Sequence, residues 1–475
     1  MRAITLISSL AVWVATMGCG SDALESEGDP AGFGGAVGTS SGGTASGGGV
    51  SAGGGAGAGG GVPGDGGFVR YDVDLAAAGA AWVEFADITG DGQLDLVVSR
   101  FGKVSGMFMP NGEVWLYQRT GGLGDWAGAP IVSEAAGVKF PNQSSAHDID
   151  GDGDLDLWVP YGFLACAANP LDGPCGGLMW LEQTSSGWTE HPVVPNGSEL
   201  FYHHVEWVDF DGDGRPDAVT VAEQGPGLFG GGGRAEAQWF KGTPSGVQAA
   251  ARVIGAGLGS LPRVRDLDGD GDLDVASAQY FDTSASFAWF ERTAEPTDDG
   301  PGAYVHHVID ATSGPAIQLS FVDDPLGTAP YAAIGANHTN TVDDPAAVES
   351  AVFLLTPGSE PKATWTKTTI STGIVSKPSP LLGKMGAPGI FGVGDLDHDG
   401  DDDVIVSGDG DERVLWLRQS SPGNYETLVL EPSLAQAGGM RVVDLDGDGK
   451  QEAVVTGYVD DTVAIYRWEP SAHGS

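Results

Sequence analysis

The stretch DLDGDGDLD at 266–274 decides how this chain folds. It puts acidic residues at every odd position of a nine-residue segment, with Gly269 and Gly271 at positions 4 and 6. Oxygens from positions 1, 3, 5 and 9, with the backbone carbonyl of position 7, can converge on one hard cation, and glycine lets the loop turn tightly. This oxygen-only set suits Ca²⁺. Mg²⁺ demands a stricter octahedron and retains more water, while Zn²⁺ wants His or Cys donors that the stretch lacks.

The pattern recurs as DITGDGQLD (87–95), DIDGDGDLD (148–156), DFDGDGRPD (209–217), DLDHDGDDD (395–403) and DLDGDGKQE (444–452). An EF-hand begins the same way but needs a bidentate Glu at position 12 and flanking helices. Here strand-like runs follow instead, such as LDLVVS (94–99), LDLWVP (155–160) and EAVVTG (452–457). The expected ligand positions are Asp87, Thr89, Asp91, Gln93 and Asp95; Asp148, Asp150, Asp152, Asp154 and Asp156; and Asp209, Asp211, Asp213, Arg215 and Asp217. They continue with Asp266, Asp268, Asp270, Asp272 and Asp274; Asp395, Asp397, Asp399, Asp401 and Asp403; and Asp444, Asp446, Asp448, Lys450 and Glu452. About six structural Ca²⁺ sites are thus expected, with affinities of roughly 10⁻⁵ to 10⁻³ M. Thr89 removes a charge, Arg215 and Lys450 add cations, and Glu452 replaces the last Asp, so the loops of the second, fourth and sixth units are expected to bind most tightly.

Spacing gives the architecture. The first aspartates lie 61, 61 and 57 residues apart, and a further 57 leads to Asp323, where DDPLGTAPY keeps the position but loses the ligands. Asp395 and Asp444 complete seven units. Each loop is followed by a strand such as EVWLYQ (113–118), LMWLEQ (178–183), FAWFER (287–292) or VLWLRQ (414–419). Next comes an aromatic with an aliphatic five residues on, as in Trp126/Ile131, Trp188/Val193, Tyr304/Ile309, Trp365/Ile370 and Tyr425/Leu430, with a looser version around Val247 and Val253. Four strands per unit, seven times over, describe an all-β, seven-bladed β-propeller. The seventh unit has only three strands of its own, and Phe68 with Val73 shows the missing fourth, so residues 68–75 are expected to close the ring.

These DxDGDGxxD loops, set between a small-residue strand and a Val/Leu strand, resemble the FG-GAP/VCBS repeat family, which includes the integrin α-subunit propellers. The resemblance covers about 68–469. It implies Ca²⁺ in the hairpins between first and second strands, on the face opposite the usual ligand surface, but fixes no function, since the family holds adhesion receptors, lectins and parts of carbohydrate-active enzymes.

The rest of the chain reads as an export address and a tether. Residues 1–18 resemble a bacterial lipoprotein signal: an apolar run follows Arg2, and Cys19 is the candidate lipidation site, with Thr16 where such signals usually carry Leu. Residues 19–67, rich in Gly, Ala and Ser, hold too few apolar side chains to order, and 470–475 form a tail. An exported, lipid-anchored or otherwise secreted monomer is expected, touching the membrane only through its lipid. Cys166 and Cys175 are expected to form a disulfide in a long loop of the second unit. A formal charge of -43, from 65 acidic and 22 basic residues, disfavours nucleic acid.

A glycan or protein partner is expected on the face away from the metals, at Phe163, Tyr202, His203, His204, Tyr280, Phe281, Asn337 and His338. The alternative is a polysaccharide-lyase-like enzyme using His203, His204 and Glu206. No nucleophile elbow, phosphate loop or Zn-spaced His pair supports catalysis, and no catalytic residue is assigned.

Overall fold

The second strand of each repeat is a short apolar run, such as Asp95–Arg100, Asp156–Tyr161 and Glu452–Gly457, and in these three every residue is buried. A strand covered on both faces must lie inside a sandwich of neighbouring sheets. The outer strands differ: Ala303–Asp310 and Asn424–Glu431 are exposed over their first half and buried at their ends.

In the computed structural model, which describes residues 66–103, 109–163, 173–225, 233–281, 284–297, 300–339, 346–375, 378–379, 383–384 and 386–470, these strands form seven four-stranded antiparallel sheets. Blades one to six each take four strands in chain order, from the channel outward. Blade three adds a small hairpin, Gly242–Thr243 with Gly246–Val247, which loosens the aromatic-to-aliphatic spacing there. Helix is confined, among the described residues, to a 3-10 turn at Glu134–Ala136.

Blade seven is a composite. Its outer strand is Gly66–Asp74, antiparallel to Thr462–Pro470 with Phe68 opposite Trp468. The closure expected from the sequence is therefore present, with the strand starting two residues earlier and ending one residue earlier than expected. Phe68 packs edge-on against Trp416 at 5.1 Å and Trp468 at 5.2 Å.

The core lies between blades, and each gap holds its own apolar cluster. Trp289 and Phe353 fill the gap between blades four and five, Phe290 and Trp239 that between three and four, and Ile465 and Val98 that between seven and one. Polar side chains at the channel stitch neighbouring blades. Gln143 Nε2 and Arg441 NH2 both donate to Glu84 Oε2 (2.9 and 3.3 Å), and Gln318 Nε2 donates to the Phe391 carbonyl (2.8 Å). An eighth cluster, Phe101, Met109, Phe140, Cys175 and Tyr458 with Trp82 and Phe163, caps blades seven, one and two on one face.

Candidate metal centres and the opposite face

Each acidic loop joins the inner strand of its blade to the second. Gly269 (φ 79°) and Gly271 (φ 98°) sit in the left-handed region that turns such a loop, and in blade six His398 (φ 64°) occupies the first of these positions. The first aspartate accepts the amide of position 6 in all six loops, at 2.9–3.2 Å, as in Asp87–Gly92 and Asp444–Gly449. The aspartate at position 3 commonly accepts the amide of position 5, and the one at position 5 that of position 7. Thus the backbone holds the carboxylates in a ring.

Position 9 opens the second strand and is buried: Asp95 is 1 % exposed and Asp156, Asp217, Asp274, Asp403 and Glu452 are 0 % exposed. From there one oxygen accepts the amide of position 2, at 3.0 Å for Ile149, 3.0 Å for Phe210 and 2.9 Å for Leu267. The other accepts an amide from the third strand, at 2.8 Å for Gln183 and 2.8 Å for Gln419, or, in blade three, from the hairpin that follows it, at 2.7 Å for Gly242. Burial pushes these acids up, despite the amides: Asp156 and Asp217 to about 6, and Asp274, Asp403 and Glu452 to about 7.

Five loops gather three carboxylates whose oxygens lie within 4.8 Å of one another. They are Asp148/Asp150/Asp156, Asp209/Asp211/Asp213, Asp266/Asp268/Asp274, Asp395/Asp397/Asp399 and Asp444/Asp446/Glu452. That spacing permits a shared ion at about 2.4 Å from each oxygen, a Ca²⁺ distance. The loop of blade one, with Thr89, brings no third carboxylate into such a group. It does leave Asp95 Oδ1 buried without a hydrogen-bond partner, as a cation-binding oxygen would be. In blade five, Asp324 closes the loop by itself, accepting the amides of Leu326, Thr328 and Ala329 at 2.6–3.1 Å, while Tyr331 at position 9 donates to the Leu267 carbonyl (2.7 Å).

The sequence concealed a difference among the loops. Next to the buried ninth acid, the third strand carries Arg418 in blade six and Arg467 in blade seven, and Lys241 directly follows it in blade three, whereas blades two and four have Glu182 and Glu291 there. Lys241 pairs with Asp211 and Asp213, Arg418 with Asp397 (2.5 Å), and Arg467 with Asp446 (2.9 Å), Asp448 and Glu452 (3.6 Å). In blade four the exposed Lys362, from the neighbouring blade, reaches Asp268 (2.8 Å) and Glu291 (2.6 Å). Among the described residues no basic side chain pairs with the acids of blade two, where Asp150 is pushed up by desolvation and by Asp152. Only register across strands reveals which charge stands beside a loop.

The opposite face divides the expected ligand residues into four fates. Tyr202 is 1 % exposed and belongs to the core between blades two and three. Asn337 clamps its own loop, donating to the carbonyls of Ser313 (3.0 Å) and Glu349 (2.7 Å) and accepting from the Ala351 amide (2.8 Å). His204 and Glu206 line the channel: Glu206 accepts from Arg263 (2.7 Å) and pairs with His204 (3.3 Å), which hold its carboxyl down at about 2 although burial opposes them. Burial lowers His204. The remaining residues stand at the channel mouth, His203 beside Phe163 (6.0 Å) and Tyr280 between Phe281 (5.2 Å) and His338 (6.0 Å). Sequence reasoning missed Trp82 from blade one and Asp409 from blade six, which stand beside His203 and His338, and Glu223, Ser260 and Gln279 from blades three and four themselves. Cys175 is disulfide-bonded; Cys166 and Cys19 lie outside the described residues, as do the signal segment and nearly all of the tether and tail.

Seven four-stranded blades with acidic hairpins between their first two strands define a β-propeller of the repeat-loop class. Residues 395–471 match the FG-GAP-like repeat family, and that match together with the seven-bladed ring supports an FG-GAP/VCBS-type propeller. No curated protein matches its sequence. Among solved structures it is similar to BBS1N, crystallised with ARL6DN and soaked with lead, at 9 % identity, covering 86 % of this chain and 98 % of that one, TM-score 0.46. It is also similar to an auxiliary nutrient binding protein from Bacteroides thetaiotaomicron (8 % identity, 85 % and 76 % covered, TM-score 0.39). A third is the α-L-arabinanase of Penicillium chrysogenum complexed with arabinobiose (9 % identity, 84 % and 97 % covered, TM-score 0.45).

Proposed function

We propose that the chain is an exported, Ca²⁺-pinned propeller, anchored through Cys19, that serves as a binding module for a glycan or a protein. The observation that carries this reading is the division of chemistry between its faces. One face holds carboxylate groups spaced for a shared hard cation. The other carries aromatic rings and polar side chains from several blades around the channel mouth. Binding is favoured over lyase chemistry because Glu206, paired with Arg263 and His204 and held down at about 2, is too weak a base to take a proton from a sugar ring carbon. The test is a glycan array and a pull-down from the organism's own surface extract, each with Ca²⁺ and with EDTA. Retention that requires Ca²⁺ and is lost on changing the mouth residues supports the module; retention of nothing in either assay contradicts it.

A further inference from the structure

Three buried side chains at the channel mouth keep polar atoms without partners. Gln279 is 0 % exposed, and its backbone is fixed by bonds to the Ser286 carbonyl (2.8 Å) and from the Ala316 amide (3.0 Å), yet neither Oε1 nor Nε2 is hydrogen-bonded. Glu223, 1 % exposed, commits Oε2 to His203 Nε2 (3.1 Å) and Ser260 Oγ (3.1 Å) and leaves Oε1 unpaired. His203, 7 % exposed, leaves Nδ1 unpaired. Unpaired buried polar groups destabilise a fold, so several together mark a place that receives something polar.

These groups form one neighbourhood. Gly259, which precedes Ser260, donates its amide to the Ala278 carbonyl beside Gln279 (2.8 Å), and burial raises the neighbouring Tyr280 phenol to about 12, helped by the charges of Asp409 and Glu223. His338 Nε2 stands 3.4 Å from Asp409, and Trp82 faces His203 at a ring separation of 6.4 Å. Blades one, three, four, five and six therefore all contribute, which only the ring centre allows.

We propose, building on the binding-module reading, that this mouth is a subsite for one uncharged, hydroxyl-rich ring, a neutral sugar residue. A hydroxyl both donates and accepts, which matches an amide offering one of each and a carboxylate oxygen that only accepts. Trp82 and Tyr280 supply partly exposed aromatic faces for the C–H face of such a ring. Charge argues against ions: each carboxylate here has an imidazole beside it, and the net charge of -43 repels anions.

The test is saturation-transfer NMR on the Ca²⁺-loaded full chain, with glucose, galactose, mannose and arabinose as probes and galacturonate as the charged control. At least one neutral sugar should bind with a Kd of order 1 mM, and Gln279→Leu should weaken it by about tenfold. Tyr280→Ala, away from the buried amide, should weaken it similarly should Gln279→Leu fold poorly. Silence of all four neutral sugars, a signal from galacturonate alone, or binding unchanged in both variants overturns the proposal. A glycan or protein retained by the array or pull-down while the monosaccharides stay silent would sink this subsite and leave the binding module standing.

Discussion

The loops of blades two and seven share a nine-residue pattern and differ in what balances their charge. In blade two the third strand offers Glu182 beside the acids, and no basic side chain among the described residues pairs with them. In blade seven Arg467 reaches Asp446 and Asp448 from the same strand position. One loop is left to draw a cation from solution; the other carries its own. Blade seven is also where both ends of the propeller meet, so in the proposed Ca²⁺-pinned propeller the closure of the ring should depend less on Ca²⁺ than the folding of blade two does.

The largest effect should come from breaking the closure itself. Deleting 66–75 exposes the strand Thr462–Pro470 and removes Phe68 from between Trp416 and Trp468. That variant should aggregate or lose its cooperative thermal transition, whereas deleting 20–64 should leave Tm unchanged; equal behaviour of the two would mean that the ring closes otherwise.

Next in size is the response to chelation. A site saturated a hundredfold above its Kd adds about 2.7 kcal/mol, so losing two or more sites should lower Tm by on the order of 10 °C. Within that loss the two loops should separate. Asp150→Asn should remove one bound Ca²⁺ and most of one site's stabilisation. Asp446→Asn should leave the Ca²⁺ count nearly unchanged, while Arg467→Ala should add an ion, raising that loop's affinity about tenfold. Equal losses from Asp150→Asn and Asp446→Asn would erase the distinction.

Acidity offers a smaller, signed effect. The ninth acids bind their protons more tightly folded than unfolded, since burial raises them to about 6 or 7. In EDTA, stability should therefore be greatest near pH 4 and fall as pH rises through about 7. With Ca²⁺ present that decline should shrink, because the ion stabilises the ionised form. A Tm in EDTA that rises steadily from pH 5 to 7.5 would contradict this. The smallest effect is expected from Asp323→Ala in the metal-free loop of blade five, within about 0.5 kcal/mol by denaturant unfolding, since Asp324 makes that loop's bonds.

Much of this was legible in the sequence because each blade repeats its own signals. The glycines that turn the loops, the buried second strands and the Phe68 strand that completes blade seven all follow from local pattern. What stayed hidden depends on register or on distant segments. Lys241, Arg418 and Arg467 become counter-ions only once the third strand is aligned with the ninth acid. Tyr202 falls into the interblade core because the register of its strand shifts between Tyr202 and Val205, which breaks the alternation of faces. Glu223, Gln279 and Asp409 sit at strand ends of separate blades, and nothing along the chain announces that these ends meet.

Calorimetric titration of chelator-stripped protein with Ca²⁺, followed by thermal unfolding of the same samples, tests the central claim most directly. Saturable binding with a marked rise in Tm, reduced by Asp150→Asn and increased in stoichiometry by Arg467→Ala, is the predicted result. Absence of binding heat together with identical unfolding midpoints in Ca²⁺ and EDTA would contradict a propeller pinned by Ca²⁺.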